Sequence, residues 1–126
     1  MTVAGLALMS VWYITARASE LNINKKGEFL DLLTNNEYVV VKFHATWCGA
    51  CKAMKSVDEK IIDNFGSKLT FVHIDVDQAQ ELQKEYGIQG IPTYLLFFRG
   101  NEEKRLVGSI DYDVFKNHVE SFIGDR

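Results

Sequence analysis

Cysteine and proline are both scarce in this chain, which has two cysteines and one proline among 126 residues. The two cysteines, Cys48 and Cys51, are separated only by Gly49 and Ala50. A structural zinc site needs about four ligands, and beyond this pair the chain offers only scattered histidines. We therefore expect no metal site. The pair is either redox-active or an inert pair of core residues.

An excess of basic residues is also missing, because the formal net charge is -3. Without a positive field the chain is not expected to bind nucleic acid. Repeats, linkers and low-complexity segments are absent as well. With 47% hydrophobic and 25% charged residues, the composition is typical of one folded domain with a real core.

Long apolar runs are lacking except near the N-terminus, where residues 2–16 carry no charge. This run is short of the roughly 20 residues that span a bilayer, but it suits a signal peptide that ends at Ala16-Arg17-Ala18. We predict that residues 1–18 are a signal peptide or membrane anchor and that residues 19–126 form the domain. Export or anchoring, with membrane association through residues 2–16, is favoured over the cytoplasm. A missing basic n-region and Arg17 itself leave a packed N-terminal helix as the alternative.

Apolar periodicity along the rest of the chain alternates between strand and helix. A short strand is predicted near residues 21–23 and buried strands at 38–45, 69–76 and 93–98, with a more polar edge strand at 104–107. Helices are predicted at 25–35, from Cys48 to Phe65, at 78–86 and after Asp111. This order predicts an α/β fold with a central mixed sheet of four to five strands and helices on both faces.

The cysteine pair lies where a buried strand gives way to a helix. A cysteine in the first turn of a helix meets unpaired N–H groups, which favour thiolate and can lower its pKa to roughly 3.5–7.5. Cys48 takes that position, and Cys51 lies on the same helical face, close enough to attack a mixed disulfide at Cys48. The small Gly49 and Ala50 let a substrate backbone approach. Cys48 is therefore the predicted nucleophile and Cys51 the resolving thiol.

The stretch Trp47-Cys48-Gly49-Ala50-Cys51-Lys52 resembles the active site of the thioredoxin family. The resemblance continues in residues 39–45 and 86–93 and covers about residues 20–124. It implies a thioredoxin fold and a monomeric protein-disulfide oxidoreductase with no bound cofactor. The partners would be protein disulfide substrates and an upstream thiol reductant or oxidant. Two alternatives stay open: an exported domain that relays electrons to other redox proteins, and a non-catalytic module that binds peptides.

The same resemblance assigns residues around the cysteine pair. Pro92 matches a family proline that is cis and packs beside the cysteines, with the backbone of Ile91 as a substrate contact. Trp47 is expected to be part-exposed, although a core aromatic is the alternative. Gly108 matches a glycine in a third substrate-contacting loop, or is a simple turn glycine.

Lys42 is the main departure from the family pattern, since it stands where the family has a buried acid that relays a proton. His73 takes the matching position on the neighbouring strand, and if both side chains point under the active site, a basic pair replaces the usual acid-base pair. Lys42 is predicted to be catalytic, either as a neutral base for Cys51 or as a charge that stabilises thiolate. The alternative is that Lys42 snorkels outward and has no role.

Overall fold

Five strands form one mixed sheet in the computed structural model, which describes residues 19–124. The order across the sheet is β1-β3-β2-β4-β5. The strands are β1 (Ser19–Asn22), β2 (Tyr38–His44), β3 (Thr70–Asp75), β4 (Thr93–Phe98) and β5 (Asn101–Val107). β1, β3 and β2 are parallel, whereas β4 and β5 are antiparallel to their neighbours. The predicted mixed sheet of four to five strands is confirmed.

Helices cover both faces of this sheet, as predicted. They are α1 (Lys26–Asn35), α2 (Gly49–Ala53), α3 (Lys55–Phe65), α4 (Gln80–Glu85) and α5 (Tyr112–Gly124), with a 3₁₀ turn at Gly66–Lys68. Strand alternation divides the core into two layers. Val41 and Phe43 of β2 pack in the layer covered by α1 and α4, whereas Val40 packs in the layer covered by α3 and α5.

The last hairpin is tighter than predicted. The sequence predicted the edge strand from residue 104, but β5 begins at Asn101. Arg99 and Gly100 have φ of 48° and 82°, so these two residues reverse the chain with the twist that strand pairing favours. The extra strand length is exposed, which is why apolar alternation did not reveal it.

β1 begins at Ser19, the first residue that the structure describes, so the domain boundary predicted at residue 19 stays a prediction. The predicted signal peptide or anchor, residues 1–18, lies outside the described residues. Between Ser19 and Gly124 no helix is long and apolar enough to cross a membrane.

Candidate active site

Cys48 and Cys51 lie just beyond β2 and are joined by a disulfide, with their Cα atoms 5.3 Å apart. Cys48 is the N-cap residue of α2, and its Sγ accepts a hydrogen bond from the backbone N–H of Cys51 at 3.1 Å. A backbone N–H donated to the Cys48 sulfur stabilises negative charge there, so the same hydrogen bond would favour thiolate once the disulfide is reduced. The predicted position of Cys48 at a helix start is thus observed.

The helix that carries the pair is interrupted, although one continuous helix from Cys48 to Phe65 was predicted. α2 ends after Ala53 and α3 starts at Lys55, with Met54 between them. The Cys51 carbonyl accepts from the Met54 N–H at 3.3 Å and from Lys42 Nζ at 2.9 Å. A side chain that inserts into the helical hydrogen-bond ladder in this way commonly interrupts a helix.

Two loops at the same end of the sheet, one before β4 and one after β5, close on the cysteine pair. The Ile91–Pro92 peptide bond is cis, and the Ile91 carbonyl oxygen lies 3.9 Å from Cys48 Sγ. The Gly108 N–H donates to the Pro92 carbonyl at 2.8 Å, and Gly108 has φ of +90°, a conformation that favours glycine. The structure therefore brings Cys48, Ile91, Pro92 and Gly108 together.

Trp47 borders this group on the solvent side. Its side chain is 67% exposed, so the alternative of a core aromatic is wrong. The indole Nε1 donates to Asp77 Oδ2 at 2.8 Å, and the Asp77 N–H in turn donates to Asp75 Oδ1 at 2.9 Å. Gly49 and Ala50 are exposed beside it, and a Cβ on Gly49 would meet nothing within 4 Å. The rim of the disulfide is thus open to a large partner.

Lys42 is buried beneath the disulfide, which overturns the alternative that it snorkels outward. It lies between His73 of β3 and Tyr94 of β4 in the strand register. Lys42 Nζ donates to the Cys51 carbonyl at 2.9 Å and to Asp58 Oδ2 at 2.6 Å. His73 instead contacts Glu20, with Nε2 and Oε1 2.8 Å apart. Lys42 and His73 thus each contact an acidic partner and do not pair with each other.

Asp58 of α3 completes a buried polar cluster with Lys42 and Tyr94. The Tyr94 hydroxyl donates to Asp58 Oδ1 at 2.8 Å, and Lys42 Nζ donates to the other carboxylate oxygen, Oδ2. Burial raises the pKa of Asp58, while hydrogen bonds from Lys42 and Tyr94 partly oppose this rise. Burial and the nearby Asp58 raise the pKa of Tyr94, so the phenol remains a neutral donor.

Known proteins resemble the chain over most of its length. The thioredoxin family model matches residues 20–121. The chain belongs to the thioredoxin family. A thioredoxin from Mycoplasmoides gallisepticum is 39% identical over 75% of this chain and 94% of its own length. A solved mutant thioredoxin from Halobacterium salinarum, 33% identical, superposes with a TM-score of 0.76 over 82% of this chain and 90% of its own.

A longer relative matches this chain over only part of its own length. The bifunctional thioredoxin reductase/thioredoxin of Mycobacterium leprae is 42% identical over 71% of this chain, and the matched segment covers 19% of that protein. Family membership and the Cys48–Cys51 disulfide together show a thiol-disulfide oxidoreductase of the thioredoxin type, acting on protein disulfides. Its redox group is the Cys48–Cys51 disulfide. These thioredoxin relatives give no support to the alternative of an exported electron-relay domain.

Sequence reasoning missed two acidic residues of the thioredoxin site. Asp58 interrupts the apolar stripe of α3 between Met54 and Ile61, and a charge at such a position signals a buried partner. Asp77 follows β3 just as Trp47 follows β2, and the carboxyl ends of parallel strands meet at one edge of a sheet. Both signals were present in the sequence.

Proposed function

We propose that the chain reduces protein disulfides with Cys48 as the nucleophile and Cys51 as the resolving thiol. The observation that carries these roles is the hydrogen bond from the Cys51 N–H to Cys48 Sγ, since it favours thiolate at Cys48. Cys48 also adjoins the loop of the cis proline, with the Ile91 carbonyl oxygen 3.9 Å from its sulfur. The attacking sulfur therefore faces the surface on which a substrate would lie.

The reaction consists of two thiol-disulfide exchanges. The Cys48 thiolate attacks one sulfur of the substrate disulfide, forming a mixed disulfide and releasing the other substrate sulfur as a thiolate. Cys51 loses its proton and attacks Cys48 Sγ, which forms the Cys48–Cys51 bond and breaks the mixed disulfide. The substrate leaves with two thiols, and the protein has lost two electrons.

Substrate docking is assigned to the rim formed by Trp47, Ile91 and Gly108. Ile91 is partly exposed and precedes the cis proline, so an extended substrate segment can add to its backbone as a short strand. Trp47 offers a large exposed aromatic face next to Cys48, and Gly49 and Ala50 leave room for a backbone. Pro92 contributes its carbonyl to hold Gly108 in place.

An upstream reductase is proposed to restore the dithiol. The Mycobacterium leprae relative, whose name joins a thioredoxin reductase and a thioredoxin, supports this kind of partner. We also propose that the protein works as a monomer, since one chain supplies all the site residues named above.

A trapping experiment tests the roles of the two cysteines. The Cys51→Ser variant should accumulate mixed disulfides with protein clients, because Cys48 can still attack but nothing resolves the adduct. The Cys48→Ser variant should trap none and should not reduce insulin. The double variant Cys48→Ser/Cys51→Ser is the control for non-specific capture. Trapping by Cys48→Ser in place of Cys51→Ser would reverse the two roles.

A further inference from the structure

The exchange steps above do not use the Lys42–Asp58 pair, although it contacts the residue that must lose a proton. Lys42 Nζ donates to the backbone carbonyl of Cys51 and to the carboxylate of Asp58. Removing two charges from water costs several kcal/mol for each ion, and a buried ion pair is often no more stable than apolar residues of similar volume. A contribution to folding stability is thus a weak explanation for why the Lys42–Asp58 pair is buried here.

One cavity links the pair to Cys51 and to solvent. Its volume is about 490 Å³, and Cys51, Lys42 and Asp58 all line it. Water needs only about 30 Å³ of space and a few polar partners, both of which this cavity provides. Cys51 and Asp58 therefore line one cavity that has room for water to carry a proton between them.

We propose that Asp58 accepts the proton of the Cys51 thiol when Cys51 attacks the mixed disulfide. The proton moves from Cys51 Sγ to the carboxylate, the sulfur electron pair forms the bond to Cys48 Sγ, and the substrate sulfur leaves as a thiolate. Asp58 then returns its proton to solvent through the cavity. This inference rests on the proposed role of Cys51 as the resolving thiol.

The surroundings of Asp58 suit a proton acceptor. Burial raises the pKa of Asp58 in the direction of neutral pH, which makes the carboxylate a stronger base. Tyr94 donates to one carboxylate oxygen and Lys42 to the other, so both fix its orientation. The other titratable side chains along the cavity are Glu20, His44, Lys52, Lys55, Glu59 and His73.

Lys42 is a positioning residue in this arrangement. Because Lys42 is charged, the direction in which the Asp58→Asn variant changes the reaction rate of Cys51 tests the inference. If the carboxylate takes the proton, the Asp58→Asn variant loses the acceptor and Cys51 reacts more slowly. If the positive charge of Lys42 were the main influence, the same variant would leave that charge unpaired beside Cys51. An unpaired positive charge favours thiolate and would make Cys51 react faster.

A stopped-flow reaction of the reduced protein with one equivalent of dithiobis-nitrobenzoate separates the two cysteines. The first nitrothiobenzoate is released when Cys48 attacks, and the second when Cys51 resolves the adduct. Asp58→Asn should leave the first phase nearly unchanged and slow the second about 100-fold or more at neutral pH. The difference should vanish at alkaline pH, where Cys51 ionises without an acceptor. Glu59→Gln, which removes a carboxylate from the same helix and cavity, should match the wild type.

A second variant keeps the test valid if Asp58→Asn folds poorly. Lys42→Met/Asp58→Asn removes the unpaired charge, and its second phase should stay slow because the acceptor is still missing. An unchanged or faster second phase in Asp58→Asn, equal slowing at every pH, or wild-type resolution in the double variant would each refute the role of Asp58. A fast first release that persists in Cys48→Ser and is lost in Cys51→Ser would instead contradict the assignment of Cys48 as the nucleophile.

Discussion

At the scale of single residues, Lys42 and Asp58 form a buried ion pair in the core. Their side chains are 6% and 3% exposed, and both make short polar contacts to fixed partners. Since every oxygen of the carboxylate has a donor, the pair forms a satisfied network in which removing one member harms the other. The two residues therefore have to be changed together to separate charge from packing.

The stability of single and double variants should reveal this coupling. Asp58→Asn leaves the Lys42 charge buried without its partner and should lower the free energy of unfolding by about 3–5 kcal/mol. Lys42→Met/Asp58→Asn should be more stable than Asp58→Asn by at least about 1 kcal/mol, since no uncompensated charge remains. Urea unfolding of the oxidised proteins measures both values. A double variant that is less stable than Asp58→Asn would show that the two losses simply add.

At the scale of elements, the loop that follows β5 joins the edge of the sheet to the loop of the cis proline. Gly108 makes that junction with φ of +90° and donates its N–H to the Pro92 carbonyl. A side chain at such a φ strains the backbone, whatever space surrounds it. The position of the docking rim thus depends on one glycine.

A pair of glycine substitutions tests this dependence. Gly108→Ala should lower the free energy of unfolding by about 1–3 kcal/mol because of the positive φ, and it should reduce kcat/KM with protein substrates. Gly27→Ala is the matched control: Gly27 lies in α1, and an added Cβ meets nothing within 4 Å. It should gain up to about 0.5–1 kcal/mol, since alanine favours helix. Thermal unfolding and insulin reduction give both readouts. Equal effects of the two substitutions would contradict a special role for the positive φ.

Most elements could be predicted because periodicity reports which face of an element is buried. The apolar run of β2 and the stripe of α5 led directly to a central strand and a packed helix. The break at Met54 could not be predicted in this way, because it depends on Lys42 reaching the Cys51 carbonyl from another element. Tertiary contacts of this kind leave no period in the sequence.

The site was predictable where its chemistry is local. Cys48 and Cys51 share one motif, and family resemblance placed Pro92, Ile91 and Gly108 beside them. The partner of Lys42 could not be deduced from spacing, because Asp58 is sixteen residues away on a different element. Only its charge within an apolar stripe hinted at burial. Pairing of distant charges is decided by packing, which sequence patterns describe poorly.

At the scale of the whole molecule, the reactive surface lies at the carboxyl end of the central strand β2, whereas the described part of the chain begins with a different strand, β1. The cysteines follow β2, whereas β1 begins at Ser19 and pairs with β3. Cleavage before Ser19 would therefore leave β1 and the disulfide intact. This arrangement is compatible with the predicted removal of residues 1–18.

The N-terminal segment remains a proposal that expression of the full chain can test. Residues 2–16 carry no charge, and Ala16 and Ala18 are small residues suited to recognition by a signal peptidase. In a host with an export pathway, the protein should be recovered outside the cytoplasm with Ser19 at its N-terminus, or attached to the membrane. Mass spectrometry of the fractionated cells distinguishes these two results. In a cleaved protein, Ala18→Leu should block processing and keep the chain at the membrane, whereas a chain that starts at Ser19 should stay in the cytoplasm. Recovery of the uncleaved full chain in the soluble cytoplasmic fraction would contradict both a signal peptide and an anchor.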